Sequence, residues 1–309
     1  MTTSGDGRLR HVWVDGEILP ADGRHLSVFD RGFQLGDGVF ETLRARGGHP
    51  TELDAHLARL HRSADGLDIE LPGDVDVRLA VGVGALLAAD GLDGADGDAS
   101  LRITVSRGVF RTRGVLPPNE DARATIAIQA WPVVAAPADH LERGLHLVAS
   151  TVRRDPRNPL ATLKTTSRAE YVYARLEARR AGADDALFLT IDDHLSEGTS
   201  ANIFLVRGST GGSPELATPS LDCAILPGTT RSWLLEWAGR VGLRPVEARL
   251  RGEDLAAADE AFLSSSVAGI LPVTAFDGEA IGGGRPGPWT SRARADREAM
   301  IRDGEAARP

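Results

Sequence analysis

Lysine is almost missing from this chain of 309 residues: Lys164 is the only one among 35 basic residues, and the others are arginine. Arginine replaces lysine freely on solvated surfaces. It cannot do so where a primary amine must lose its proton and attack a carbonyl, because guanidinium stays protonated. Lys164 is therefore either a leftover surface residue or a chemical requirement. Cysteine is nearly absent too. With Cys223 alone, neither an intramolecular disulfide nor a CxxC zinc site can form. No stretch has the apolar length of a membrane-spanning helix, and the amino terminus has no apolar run of signal-peptide size, so a cytoplasmic, non-membrane protein is expected. The eight histidines form no HExxH pair, which argues against a metal enzyme, and no GxSxG motif occurs. Gly82-Val83-Gly84 lacks the third glycine of a dinucleotide fingerprint and sits in an apolar helical stretch, where packing explains it. The net charge of -9 opposes nucleic-acid binding. The acidic run Asp90 to Asp98 lacks the spacing of a calcium loop and reads as a solvated turn.

What is present is a mixed pattern. Asp15-Gly16 between His11–Val14 and Glu17–Leu19 predicts a hairpin. Val39 to Arg46 predicts a strand, and Leu53, Leu57, Leu60 and Leu67 mark an amphipathic helix. A second helix is expected over Val77 to Ala89, and strands over Leu101 to Val105 and Ala124 to Ala130. Periodicity lapses from residue 133 to 139, giving an N-terminal α+β domain (1–132), a linker (133–139) and a C-terminal domain (140–309) that carries Lys164. Beyond the linker the pattern predicts strands at 145–150, 186–190, 202–206, 244–248 and 260–264, with helices at 167–181 and 229–241. The expected fold class is α+β or α/β.

Three segments besides Lys164 have the composition of an anion and ring site. Gly228-Thr229-Thr230 opens a helix, where amides and hydroxyls can cradle a phosphate or simply cap the helix. Ser264-Ser265-Ser266 follows an apolar strand, as a ligand contact or as a polar turn. Glu197, ahead of the strand Ile203 to Val206, could keep a pyridine nitrogen protonated or sit exposed in a hairpin. Together with one lysine, these turns suit a phosphorylated pyridine aldehyde.

The order of segments resembles the class IV aminotransferases, the fold type IV pyridoxal phosphate enzymes, which include branched-chain and D-amino acid aminotransferases and aminodeoxychorismate lyases. The stretches that carry the resemblance are DRGFQLGDGVFETLR (30–44), LDAHLARL (53–60), LKTTSRAEYVYARLEARRAGADDALFL (163–189), LSEGTSANIFLV (195–206), ILPGTTR (225–231) and DEAFLSSSVAGILPV (259–273). The resemblance implies a two-domain fold with pyridoxal 5'-phosphate between the domains, held as a Schiff base on Lys164, which also moves the proton. It implies that Arg59 binds the phosphate together with Gly228, Thr229, Thr230, Ser265 and Ser266, that Glu197 faces the ring nitrogen, and that the protein is a homodimer.

This chain departs from the branched-chain enzymes in having Ala169 and Leu35 where they carry tyrosines, which leaves the partner of the ring hydroxyl unassigned. Tyr171 and Tyr173 are read as core. The D-amino acid enzymes' Arg-x-His pair is replaced by Arg111-Thr112-Arg113. Thr42 and Arg113-Gly114 are similar to the lyases, whereas Arg102 stands where those usually carry lysine. The expected activity is ping-pong transfer of an amino group from a small amino acid, D-amino acids favoured, or an (R)-amine, to an α-keto acid. The alternatives are 4-amino-4-deoxychorismate lyase and a degenerate binding protein of the same fold. Candidates for the substrate carboxylate are Thr42, Arg102, Arg107, Arg111 and Arg113.

Overall fold

The computed structural model describes residues 10–117, 123–208 and 214–304. Its chain divides into two compact units. The first holds the described residues up to Val134, the segment Leu163–Arg168 and the end of the last helix from Ile301. The second holds Ala135–Thr162 and Ala169–Met300.

Unit one contains β1 (His11–Val14), β2 (Glu17–Pro20), α1 (Arg31–Leu35), β3 (Gly38–Arg46), β4 (His49–Pro50), α2 (Leu53–Asp65), α3 (Val75–Ala89), β5 (Asp98–Ser106) and β6 (Thr125–Pro132). Its antiparallel sheet runs β2-β1-β6-β5-β3-β4. The first hairpin turns where the sequence places it: Asp15 and Gly16 both have positive φ, as a tight two-residue turn requires. Alternation in β5 and β6 gives the sheet one apolar face. Leu101, Ile103, Val105, Ile126 and Ile128 on that face join Leu57 and Leu60 of α2 and Leu79, Val83 and Leu86 of α3 in one core.

The lysine segment 163–168, which the sequence pattern places with the C-terminal half, belongs by its contacts to unit one. The cause is a short bridge to β3. Thr165 pairs with Val39, Phe40 N–H donates to the Lys164 carbonyl at 2.9 Å, and Thr166 N–H donates to the Gly38 carbonyl at 2.8 Å.

Unit two contains α4 (Ala138–Glu142), β7 (Leu145–Arg154), α5 (Ala169–Arg180), β8 (Asp185–Thr190), β9 (Leu195–Gly198), β10 (Asn202–Arg207), β11 (Glu215–Pro219), α6 (Thr229–Val241), β12 (Arg244–Ala248), α7 (Gly252–Ala256), β13 (Glu260–Ser265), β14 (Gly269–Phe276), β15 (Glu279–Ala280) and α8 (Pro288–Asp303). The sheet runs β12-β11-β10-β13-β14-β7-β8-β9, and β9 also pairs with β10. That last pairing closes β10, β13, β14, β7, β8 and β9 into a ring. The ring sets Asn202 directly opposite Glu197. Helix α4 begins inside the stretch read as a linker, and β7 runs four residues beyond the expected end at Ser150.

Candidate active site

In unit one, both backbone polar groups of Lys164 are fixed: its carbonyl by Phe40 of β3, and its N–H by Ser63 Oγ of α2 at 3.1 Å. The side chain lies over the Phe40 ring, with Nζ 4.6 Å from the centroid. A fixed backbone position with the amine beside an aromatic ring suits a nucleophile. Gly36 closes α1 in the left-handed region at φ 66, and its carbonyl accepts from Thr166 Oγ1 at 2.8 Å, so the residues after Lys164 are tied down as well.

Arg59, on α2, is 3 % exposed and donates from Nε and Nη2 to Glu41 at 2.8 and 2.6 Å. Glu41 alternates onto the helix-covered face of β3, between Val39 and Leu43. His56 Nδ1 lies 2.7 Å from Glu41 Oε2, the oxygen that Arg59 Nη2 also reaches. Burial alone would raise the Glu41 pKa, but the hydrogen bonds from Arg59 and His56 overcome it and bring it down to about 2. Burial lowers that of His56. Arg59 is thus held in a fixed orientation by a carboxylate that the sequence pattern did not single out.

The substrate candidates separate. Arg102 sits opposite Thr42 in the register of β5 and β3, and its guanidinium is 3.8 Å from the Phe40 centroid. Arg107 is committed to the fold: it forks onto Asp37 at 2.8 and 3.0 Å and donates to the Leu67 and Asp68 carbonyls. These bonds occupy the donors a substrate carboxylate would need. Arg111 and Arg113 are exposed, in a loop that Arg31 fastens through the Gly114 and Val115 carbonyls.

In unit two, Glu197 is buried in β9, not exposed in a hairpin. Leu226 N–H donates to its Oε2 at 3.0 Å, and Asn202 Nδ2 lies 3.5 Å from the same oxygen. Oε1 faces the Tyr171 hydroxyl at 3.5 Å and Arg154 at 3.6 Å. Arg154 also donates to the Tyr171 hydroxyl at 2.6 Å, so Tyr171 is part of this polar network and not merely core. Burial works against the Arg154 charge, yet Tyr171 and Glu197 hold its pKa above the usual value. Arg154 comes from the unexpected extension of β7. The strand expected over 145–150 stops short of it.

Helix α6 opens at Gly228 with no hydrogen bond from an N-cap side chain. Gly228 is there for space: a Cβ would lie 2.2 Å from Asn202 Oδ1. Thr229 Oγ1 is 3.1 Å from Ser266 Oγ, so the two hydroxyl turns meet. Ser264 Oγ is buried without a hydrogen-bond partner among the described residues. Arg297 of α8, buried, donates to Thr230 Oγ1 at 3.3 Å and adds a cation that sequence spacing did not reveal.

These residues fit the group the sequence implies. The start of α6 with its two hydroxyls, and Arg297 bonded to one of them, suits a phosphate monoester. A buried carboxylate backed by Arg154 and Tyr171 suits a protonated ring nitrogen. An anchored amine suits an aldehyde.

Comparisons with known proteins agree. The family profile Amino-transferase class IV matches residues 38–276. A putative branched-chain-amino-acid aminotransferase of Methanocaldococcus jannaschii is 33% identical over 284 residues, covering 92% of this chain and 93% of the relative. The crystal structure of a T.th. branched-chain amino acid aminotransferase with pyridoxamine 5'-phosphate superposes with a TM-score of 0.86 at 25% identity, covering 96% and 95% of the two chains. That of 4-amino-4-deoxychorismate lyase from Pseudomonas aeruginosa gives 0.78 at 34% identity, covering 95% and 99%. With the family profile spanning most of the chain, the chain belongs to the class IV aminotransferases and is a pyridoxal phosphate enzyme of fold type IV.

Proposed function

We propose that this enzyme is an aminotransferase that moves an amino group from a small amino acid, D-amino acids first, or from an (R)-amine, to an α-keto acid by a ping-pong route. The observation that carries the reading is the neighbourhood of Lys164. The groups that share the Phe40 ring with it are guanidinium groups, Arg102 among them, which cannot exchange a proton near neutral pH. Lys164 is then the one proton carrier on that platform, which is what moving a single proton out and back requires.

Bound pyridoxal phosphate supplies an aldehyde for an amine and a ring that accepts the electron pair left when an α-proton departs. Every other task falls to the chain. Lys164 would hold the cofactor covalently, and its Nζ would take the proton from the substrate's α-carbon and return it. Glu197, restrained by Leu226, Tyr171 and Arg154, would keep a proton at the ring nitrogen. Thr229, Thr230, Ser265 and Ser266 would hold the phosphate, with Arg59 contributing from α2.

The second reading, 4-amino-4-deoxychorismate lyase, draws support from Thr42 and Arg113-Gly114 and from the 34% identity to the Pseudomonas aeruginosa lyase. The fate of the amino group separates them. An aminotransferase given a donor alone converts its cofactor to the amine form within one turnover, bleaching the visible band, and an α-keto acid restores the band. A panel of D- and L-amino acids and (R)-amines should contain at least one such donor. If none bleaches the band while aminodeoxychorismate yields pyruvate and 4-aminobenzoate, the lyase reading replaces this one.

A further inference from the structure

Helix α8 turns Thr290, Ala293 and Arg297 inward, at the three- and four-residue spacing of a core-facing stripe, while Arg292, Arg294 and Arg302 are exposed. An arginine that is 1 % exposed therefore stands where an apolar side chain would pack. Burying a guanidinium costs desolvation, and a hydrophobic residue of similar volume often serves stability as well or better. Stability by itself does not call for Arg297. Its place is nevertheless fixed. Glu260 of β13 accepts from the Trp289 and Thr290 N–H groups at 3.1 and 2.8 Å, and Trp237 Nε1 of α6 donates to Asp296 at 2.8 Å, so α8 is fastened at its start and beside Arg297.

The guanidinium reaches the first turn of α6. It donates to Thr230 Oγ1 at 3.3 Å and lies 5.2 Å from the centroid of the Trp233 ring, one turn further along. A guanidinium has donors only, so Thr230 Oγ1 is the acceptor in this bond and its own hydrogen is left for another partner. A threonine within a helix can return that hydrogen to the carbonyl four residues back. Here that carbonyl, of Leu226, takes a hydrogen from Asn202 Nδ2 at 3.0 Å, and among the described residues Thr230 Oγ1 donates to no acceptor. Thr230 is buried, and a buried hydroxyl with an unspent hydrogen gains from an acceptor that a ligand brings. With a guanidinium behind the hydroxyl, an anionic acceptor gains most. We propose that Arg297 is a positioning residue for the cofactor phosphate, holding the Thr230 hydroxyl as a donor toward it and placing a positive charge behind that donor. The inference rests on the reading in which Thr230 holds the phosphate, and it extends that seat to α8. It bears on the half of a ping-pong cycle in which the cofactor carries the amino group. Lys164 then has no covalent hold on the cofactor, and noncovalent contacts of this kind retain it.

The test titrates the full-length protein, freed of cofactor, with pyridoxamine 5'-phosphate and with pyridoxamine by calorimetry. Neither compound can form a Schiff base with Lys164, so the ratio of the two affinities measures the grip on the phosphate. In Arg297→Met the phosphate compound should bind about ten- to a hundred-fold more weakly, the size of one charge-assisted hydrogen bond, with pyridoxamine unchanged. Arg297→Lys should recover part of the loss, because lysine restores the charge without the planar fork. Thr230→Val should show a similar loss, and combining it with Arg297→Met should add little, because both act through one hydroxyl. Circular dichroism checks that each variant is folded, and Arg297→Gln takes the place of the Met variant if that one is not. An unchanged ratio in Arg297→Met overturns the proposal, as does an equal loss for both compounds, which a purely structural role would give. Thr230→Val separates the two readings. Loss there with none in Arg297→Met removes the role of Arg297 alone, whereas no loss in Thr230→Val removes the phosphate reading of this turn and the inference with it.

Discussion

Arg59 is bound to Glu41 within the chain, and the proposed function adds the cofactor phosphate as a further partner. The sequence resemblance assigns it to the phosphate, which suggests that Arg59→Ala would release cofactor and leave the fold alone. Glu41 changes that expectation. With Arg59 gone, a fully buried carboxylate keeps His56 as its neighbour and loses its permanent positive charge. Breaking a buried pair from one side costs about 3 to 5 kcal/mol. Arg59→Ala should therefore lower the stability measured by urea unfolding as well as cofactor retention after dialysis. Undiminished stability with lost cofactor would show that Glu41 is protonated or resolvated in the variant. At this scale Lys164 was legible because it is unique, a property that needs no geometry. Glu41, Arg154, Tyr171 and Asn202 were not, since each is a common residue type made special only by what it faces.

Among the elements, α6 shows how tightly the site is built. Gly228 has φ -72, a value any residue adopts, so its need for glycine is purely one of space. In Gly228→Ala the new methyl meets Asn202 Oδ1, and Asn202 is the residue that donates to the Leu226 carbonyl at 3.0 Å and reaches Glu197. The expected result is a loss of about 1 to 3 kcal/mol in stability from overpacking, with faster cofactor release on dialysis. Retention equal to the wild type would mean that Asn202 can turn aside. The helix itself was legible to the residue, from Thr229 to Val241, because a Pro-Gly turn before an apolar period marks a start in the chain's own chemistry. The length of β7 was not. Its last residue, Arg154, has its partners Glu170 and Glu197 on other elements.

For the molecule as a whole, the buried trio of Glu41, His56 and Arg59 predicts how stability responds to acid. His56 has its pKa lowered from its ordinary value of 6.5, so below that pH the unfolded chain takes up a proton that the folded one resists. Glu41, lowered from 4.5 to about 2, contributes stability that is complete above 4.5 and is lost as the pH falls toward 2. Both act in one direction. Urea unfolding between pH 7 and pH 3 should show a first decline below 6.5 and a steeper one below 4.5. His56→Gln should remove the first. A flat profile down to pH 5 in the wild type would show that His56 titrates alike in the folded and unfolded states.

What the sequence determined by itself is whatever depends on local chemistry or on order along the chain. One lysine among 35 basic residues, a turn at Asp15-Gly16, a helix start at Thr229 and six blocks in a family's order all survive without coordinates. Tertiary structure decided what depends on closure and on which face a residue turns. It joined Leu163–Arg168 to β3, closed the ring that sets Asn202 against Glu197, and put Glu41 beneath Arg59 on the covered face of the sheet. It also brought Arg102 and Arg168 to the ring of Phe40. Residues 66 positions apart can be read as neighbours only once the backbone hydrogen bonds between strands are known, because side-chain electrostatics acts over a few ångströms of space and not along the chain.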